Sequence, residues 1–243
     1  MCIRDRGGVD RVMGLHLNGE GKAGALELQS GARAAGSVSF SIDIYGTGGH
    51  GARPDLTVNP LRIASEILLK ISSIPSNFHD PTHACVVSPC MINGGVRPNI
   101  VPDTCNIQGT IRYFSEEDMQ MIPEAMRKLI SGTAAVYGGT AELTLNTVSP
   151  YPIVNDHNAV ELGLKVAREM GADLLPGGPP TMMSDNFSEF QHEYPGIFWN
   201  LGCKSERDNV SGVPHTPNFD IDDTCLYKAV EFYLGYLLMY GEE

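Results

Sequence analysis

Ser37-Val38-Ser39-Phe40-Ser41-Ile42-Asp43-Ile44 is the stretch on which the fold turns. Val38, Phe40, Ile42 and Ile44 alternate with Ser37, Ser39, Ser41 and Asp43, the period of a strand with one buried and one wet face. Downstream, Asn59-Pro60 offers a helix N-cap followed by proline at the first helical position. Ile63, Ala64, Ile67, Leu68 and Ile71 recur at helical spacing between Leu61 and Ile74, where Pro75 should end the helix. A second strand is expected over residues 84–93 and a third over 104–114. In the third, Cys105, Ile107, Ile111 and Tyr113 face one way and Asn106, Gln108, Thr110 and Arg112 the other. Ser115-Glu116-Glu117-Asp118 fits a capping box, and Met119, Ile122, Met126, Leu129 and Ile130 continue at helical spacing, with Pro123 expected to start or kink that helix. Gly138-Gly139 stops it, and Ala141, Leu143 and Leu145 alternate as a fourth strand. The order β-α-β-β-α-β predicts a ferredoxin-like unit over residues 38–149, a four-stranded antiparallel sheet with two helices on one face.

The flanks read differently. Residues 1–37 hold two short apolar pieces, Arg11 to Leu17 and Gly24 to Leu28. Residues 150–243 hold a helix capped at Asn155/Asp156 and running to Gly171, a buried strand over 196–202, and a last helix preceded by Asp222/Asp223. The fold class is therefore α/β, with residues 38–149 inserted into an α/β domain to which both flanks contribute. Met1-Cys2-Ile3-Arg4-Asp5-Arg6 matches the read-through of a sequencing-library adaptor, so residues 1–6 are expected to be foreign and the native protein to extend upstream.

Composition narrows the function. The chain has 243 residues, 17 Lys+Arg against 29 Asp+Glu and a net charge of −12, with no basic cluster, which argues against nucleic acid or an anionic membrane as partner. Hydrophobic residues at 42% exclude a disordered chain. No apolar run approaches the roughly 18 residues of a membrane span, and the start has no apolar signal-peptide core. The six cysteines form no Cys-x-x-Cys pair, and reduced thiols in a cytoplasmic enzyme are the expectation.

Several residues carry candidate chemistry. Gly46-Thr47-Gly48-Gly49-His50-Gly51 spells the Gly-x-Gly-x-x-Gly of a dinucleotide loop, which would require a helix opening at Gly51. It reads equally as a flexible loop without a role, or as glycines that let His50 and the backbone close on a ligand. His16, ending an apolar run, and His215, between Pro214 and Pro217, are structural histidines or ligands of one metal. Arg112 is a solvated arginine or a fork for a substrate carboxylate. Asn99, fixed between Pro98 and Pro102, suits a defined contact. Asp185 and Glu189 serve as acid or base, or else Ser184 or Asp185 caps a helix.

Taken in order, Gly14-Leu15-His16-Leu17, Gly48-Gly49-His50-Gly51-Ala52-Arg53-Pro54, Val58-Asn59-Pro60, Gly94-Gly95-Val96-Arg97-Pro98-Asn99-Ile100-Val101-Pro102-Asp103, Gly109-Thr110-Ile111-Arg112 and Pro214-His215-Thr216-Pro217-Asn218-Phe219 resemble the amidohydrolase branch of the M20 metallopeptidases, the group of hippurate, N-acyl-amino-acid and indole-acetyl-amino-acid hydrolases. The resemblance implies a metallo-exopeptidase-type catalytic domain with two divalent ions, zinc, manganese or cobalt. It also implies that residues 38–149 are a lid through which the enzyme forms a homodimer. His16 and His215 then match metal ligands, His50 the lid histidine that steadies the oxyanion in the partner's site, and Asn99 and Arg112 the holders of the substrate carboxylate. The substrate class implied is an N-acyl amino acid or a similar small amide. The family's remaining ligands and its carboxylate base lie ahead of the position of His16, so the metal site is expected to be incomplete in this chain. Asp185-Asn186 stands where members have Glu-Asp. The alternative is a non-catalytic dimerisation or binding module of the same fold.

Overall fold

In the computed structural model, residues 8–78, 80, 82–205 and 212–241 are described, and residues 1–6 lie outside them. The alternating stretch forms β4 (Gly36–Tyr45), which sits inside a four-stranded sheet of order β6-β8-β4-β9, with β6 at Val86–Gly94, β8 at Thr104–Tyr113 and β9 at Thr140–Ser149. All three pairings are antiparallel, and β4 matches β8 over ten residues from Gly36↔Tyr113 to Tyr45↔Thr104. Val38, Phe40, Ile42 and Ile44 are buried with Cys105, Ile107, Ile111 and Tyr113 against α1 (Pro60–Ile71) and α3 (Glu116–Val136). The opposite face is polar: Asn106 Nδ2 donates to Ser41 Oγ at 2.8 Å and to Asp43 Oδ1 at 2.6 Å. This unit comprises Ala35–Pro152 together with Met182–Asn186.

Pro75 departs from the expectation, and Pro123 does not start its helix. Pro75 does not end the first helix, which stops at Ile71. It sits instead in the first turn of α2 (Ile74–Asn77), where an N–H has no intrahelical acceptor to lose. Pro123 lies inside α3, whose start is set by Ser115 Oγ accepting from Asp118 N at 3.1 Å. Pro123 is buried there.

The second unit is discontinuous, drawn from the chain up to Ala34, from Ile153–Thr181 and from Phe187 onward. β1 (Val12–Asn18) runs parallel to β11 (Gly196–Gly202), and β2 (Leu26–Glu27) lies antiparallel on the other side of β11. β3 (Gly31–Ala34) and β10 (Ile153–Asn155) make a separate ribbon. Ile197, Trp199 and Leu201 point into a core shared with α4 (His157–Glu169) and α6 (Cys225–Tyr240), where the Trp199 and Phe232 rings lie 4.7 Å apart. Asp156 caps α4, accepting from Ala159 N at 2.8 Å. Asn155, read from sequence as part of that cap, is buried instead and ties β10 to β11 and to the connection between β2 and β3: its Nδ2 donates to Gln29 O and Phe198 O, and its Oδ1 accepts from Phe198 N. α6 starts after Thr224, with Asp222 Oδ1 accepting from the Thr224 N–H and hydroxyl. Neither Ser184 nor Asp185 caps α5 (Ser188–Glu193), whose N-cap is Phe187. No helix among the described residues is long and apolar enough to cross a membrane, and the five described cysteines are free.

Candidate functional site

The glycine-rich run is an ordered cradle. No helix opens at Gly51; only a three-residue 3-10 turn, Pro54–Leu56, follows, so the dinucleotide reading falls. Thr47 and Val58 exchange both backbone hydrogen bonds at 2.9 and 3.0 Å, and Gly49–His50 (β5) pairs with Ile100–Val101 (β7). A Cβ on Gly46 would sit 2.1 Å from Val58 O, and one on Gly48 2.8 Å from Val101 O. Glycine is needed here for close backbone approach, not for mobility. Asp103 clamps the same turn, its Oδ1 accepting from Gly48 N at 2.8 Å and its carbonyl from Gly46 N at 2.8 Å.

That cradle presents His50 and Asn99 side by side. His50 is exposed on β5, opposite Ile100, and Gly51 N donates to Asn99 O at 2.9 Å. Asn99 is exposed in the turn before β7. The Ala52 N–H donates to His50 Nδ1 at 3.1 Å. An imidazole nitrogen that accepts carries no proton, so in neutral His50 the proton is on Nε2, which becomes an outward donor.

Arg112 sits on the same unit but on the central sheet, opposite Ser37 and Val86. Its Nη1 donates to Ile111 O at 3.0 Å and to Thr110 Oγ1. It is half-buried, and among the described residues no carboxylate pairs with it. Burial pulls the guanidinium pKa down, and the neighbouring Cys90 and Tyr113 only partly oppose this. A desolvated cation without a counter-charge is a receptor for an anion.

In the discontinuous unit, His16 lies on β1 opposite Asn200, and Asn200 lies opposite Glu27 on β2, so the three share one face of the sheet. His16 Nδ1 lies 2.9 Å from Leu17 O. A carbonyl only accepts, so Nδ1 bears the proton and Nε2 keeps its lone pair, the form that ligates a metal. His16 and His50 thus hold opposite tautomers, each fixed by a backbone group one or two residues on. Asn200 Nδ2 donates to Glu27 Oε2 at 3.0 Å, and Arg33 pairs with Glu27 at 3.5 Å with both side chains largely buried. Glu27, Arg33 and Asn200 went unnoticed in the sequence, because nothing local marks residues brought together by strand register.

His215 is exposed in a turn at φ 64°, the one non-glycine residue with positive φ among those described. Such a conformation is costly for an L residue and persists when its surroundings impose it. Asp185 is half-buried and Glu189 exposed. Among the described residues, no group of three or more His, Cys, Asp or Glu side chains is placed to hold a metal ion.

Residues 33–138 match the M20 peptidase dimerisation domain family. The chain is 30% identical over 220 residues to thermostable carboxypeptidase 2 of Saccharolobus solfataricus, covering 90% of this chain and 55% of that protein. It is 30% identical over 239 residues to IAA-amino acid hydrolase ILR1-like 2 of Arabidopsis thaliana, covering 97% and 54%. The solved structure of the Bacillus subtilis YXEP protein, described as a dinuclear metal binding peptidase from the M20 family, superposes with a TM-score of 0.78 at 24% identity, over 96% of this chain and 58% of that one. The chain therefore spans little more than half the length of the relatives it matches. The resemblance drawn from the ordered motifs holds in sequence and in fold.

Proposed function

We propose that this chain, whose inserted unit carries an M20 peptidase dimerisation domain, is the lid and one part of the catalytic domain of a metal-dependent amidohydrolase acting on N-acyl amino acids or similar small amides. The observation that carries the proposal is Arg112, a half-buried guanidinium without a carboxylate partner among the described residues, on the unit that also presents His50 as an Nε2–H donor. An N-acyl amino acid has one fixed anion, its carboxylate, and one carbonyl on which negative charge develops during hydrolysis. Arg112 suits the first by forked hydrogen bonding, with Asn99 as a further polar contact. The His50 Nε2–H suits the second, because an oriented donor aimed at developing charge lowers the barrier.

Metal fits this chain only in part. The His16 tautomer leaves a ligating lone pair, and His215 offers a second imidazole of the right donor type. A catalytic zinc site takes three or more protein ligands, and the described residues contain no such cluster. No hydrolytic step through metal is derived from these residues. In this proposal further ligands, and the carboxylate base, come from the part of the protein this chain does not represent. The inserted unit forms the homodimer contact, and the enzyme works in the cytoplasm.

The test compares this 243-residue chain with the product of the complete gene. Both are dialysed, their metal content is measured by elemental analysis, and release of free amino acid is followed over an N-acyl-amino-acid panel. The complete product should hold divalent metal stoichiometrically and turn over, with Arg112→Ala raising KM and His50→Ala lowering kcat. The 243-residue chain should self-associate but hold little metal and show no turnover. A complete product that binds metal without hydrolysing any panel member would defeat the proposal in favour of a binding module.

A further inference from the structure

We propose that the bulge of β6, Cys90 with Met91, forms the subsite that receives the amino-acid side chain of the substrate, and that this side chain is uncharged and apolar. The inference rests on the hydrolase reading, within which it names the class of amino acid. It starts from the strand pairing beside Arg112. Residues directly opposite each other on paired strands share a face, so Arg112 and Thr110 on β8 stand on the polar face with Val86 and Ser88 on β6. Between Pro89 and Met91 the register slips, and Cys90 is the extra residue, without a partner on β8. A bulge of this kind re-aims side chains. Cys90 Sγ donates to Ser88 O at 3.4 Å and lies 3.9 Å from Ser88 Oγ, which puts the thiol on the polar face. The same slip sets Met91 opposite Gln108, on that face too, where unbroken alternation would have sent it to the core side with Val87. Cys90 is exposed, and Met91 is 53% exposed.

The arginine fixes where the substrate sits. Its Nη1 is engaged by Ile111 O and Thr110 Oγ1, which leaves the Nε/Nη2 edge of the guanidinium for the forked carboxylate. The α-carbon is one bond from that anion, so the amino-acid side chain lies on the sheet surface beside Arg112. On the β4 flank this surface carries Ser37 and Ser39, opposite Arg112 and Thr110. On the β6 flank it carries Val86 and Ser88 and then the bulge. Cys90 stands close enough to the guanidinium for their charges to interact, so it meets the inner atoms of a side chain, and Met91 the outer ones. Cysteine packs as a small hydrophobe, and methionine adapts its shape to what it covers. An apolar side chain gains by leaving water against these two residues. A carboxylate or ammonium in the same place loses hydration to a thiol and a thioether, which return little.

The experiment uses the product of the complete gene. With metal bound, kcat/KM for N-acetyl-L-methionine and N-acetyl-L-leucine should exceed that for N-acetyl-L-glutamate and N-acetyl-L-lysine by about tenfold or more. Cys90→Arg adds a cation to the subsite without offering Arg112 a counter-charge. It should bring N-acetyl-L-glutamate about tenfold closer to N-acetyl-L-methionine, through KM rather than kcat. Cys90→Ala should keep the ranking. In the metal-stripped protein, where ligand is not consumed, N-acetyl-L-methionine should slow maleimide labelling of Cys90 severalfold, read by peptide mass spectrometry, and N-acetyl-L-glutamate should not. A ranking led by the charged substrates, or one that Cys90→Arg leaves unmoved, would overturn the subsite. So would labelling that both ligands slow equally or that neither slows. Labelling uses the unaltered Cys90, so it decides the matter even where Cys90→Arg does not fold. If the complete product hydrolyses none of the panel, the hydrolase reading fails by itself: selective protection by N-acetyl-L-methionine still upholds the subsite, and its absence overturns it.

Discussion

The two units answer the same question, what covers an apolar face, in opposite ways. In the inserted unit every alternating apolar residue of β4 and β8 has α1 or α3 over it, and the other sheet face carries an Asn106–Ser41–Asp43 network. Its exposed apolar helix residues, such as Leu69 and Val136, are scattered, and on its edge strand β6 Met91 and Ile92 are exposed. In the discontinuous unit the Trp199 side is equally well packed, yet α6 has six exposed apolar side chains, and among the described residues β1 pairs with β11 alone. Apolar patterning records the neighbours a segment was selected to have. Where pattern and burial agree, as on β4 and β8, the neighbours that cover the face are present.

The largest expected effect tests whether the two cores are independent. Phe40→Ala, in the inserted core, should cost about 3–5 kcal/mol and lower one calorimetric transition. Trp199→Ala should lower the other by a similar amount. If either substitution moves both transitions equally, the units unfold as one and the contrast is void.

A smaller effect is expected at the cradle. Gly46→Ala places a Cβ 2.1 Å from Val58 O, so the backbone must yield, at a cost of about 1–3 kcal/mol. The Ala52–His50 contact should loosen with it, visible as a changed His50 tautomer balance by nitrogen NMR. An unchanged spectrum would mean that the cradle does not position His50.

A pH series sharpens the comparison from the other side. Burial pushes the Cys203 thiol up to about 11 from an ordinary 9.0, with Cys225 adding to the shift. A group with a raised folded-state pKa contributes stability below its unfolded pKa and loses it as pH rises. The Cys203 contribution to the discontinuous unit should therefore be lost between about pH 9 and 11, and Cys203→Ser should remove that part of the slope while leaving the parts from Cys225 and Tyr233, which burial also raises. The transition assigned by Phe40→Ala should not share that Cys203-dependent slope.

The smallest effects come from the caps. Ser115→Ala should cost the inserted unit about 1 kcal/mol, and Asp156→Ala the discontinuous unit about the same. Denaturant titrations of the two single variants and the double variant should be additive, because the caps belong to separate units.

Legibility differed residue by residue. β4, β8 and the start of α3 could be read from alternation and from the Ser115 cap, because their partners lie on a repeating local pattern. The fates of Pro75 and Pro123 could not, since each depends on whether a neighbouring turn or core accommodates the ring. His16, His50, Asn99, Arg112 and His215 could be singled out, but their chemical states could not. Which nitrogen of an imidazole bears the proton depends on the backbone group that meets it, and neither Leu17 nor Ala52 advertises that in its letters.

By itself, then, the sequence determined an α/β chain with an inserted β-α-β-β-α-β unit, and the ordered motifs that mark its relatives. These follow from short-range period, capping and turn chemistry, which act over a few residues. Only the tertiary structure decided that the glycines of 46–51 are wedged against Val58 and Val101, that Asn200 joins His16 to Glu27 across the sheet, and that among the described residues one side of α6 is apolar and exposed. Those facts join segments far apart in the chain, Asn200 and Glu27 being 173 residues apart. Long-range contacts are set by how whole faces are buried together, and no local pattern carries that information.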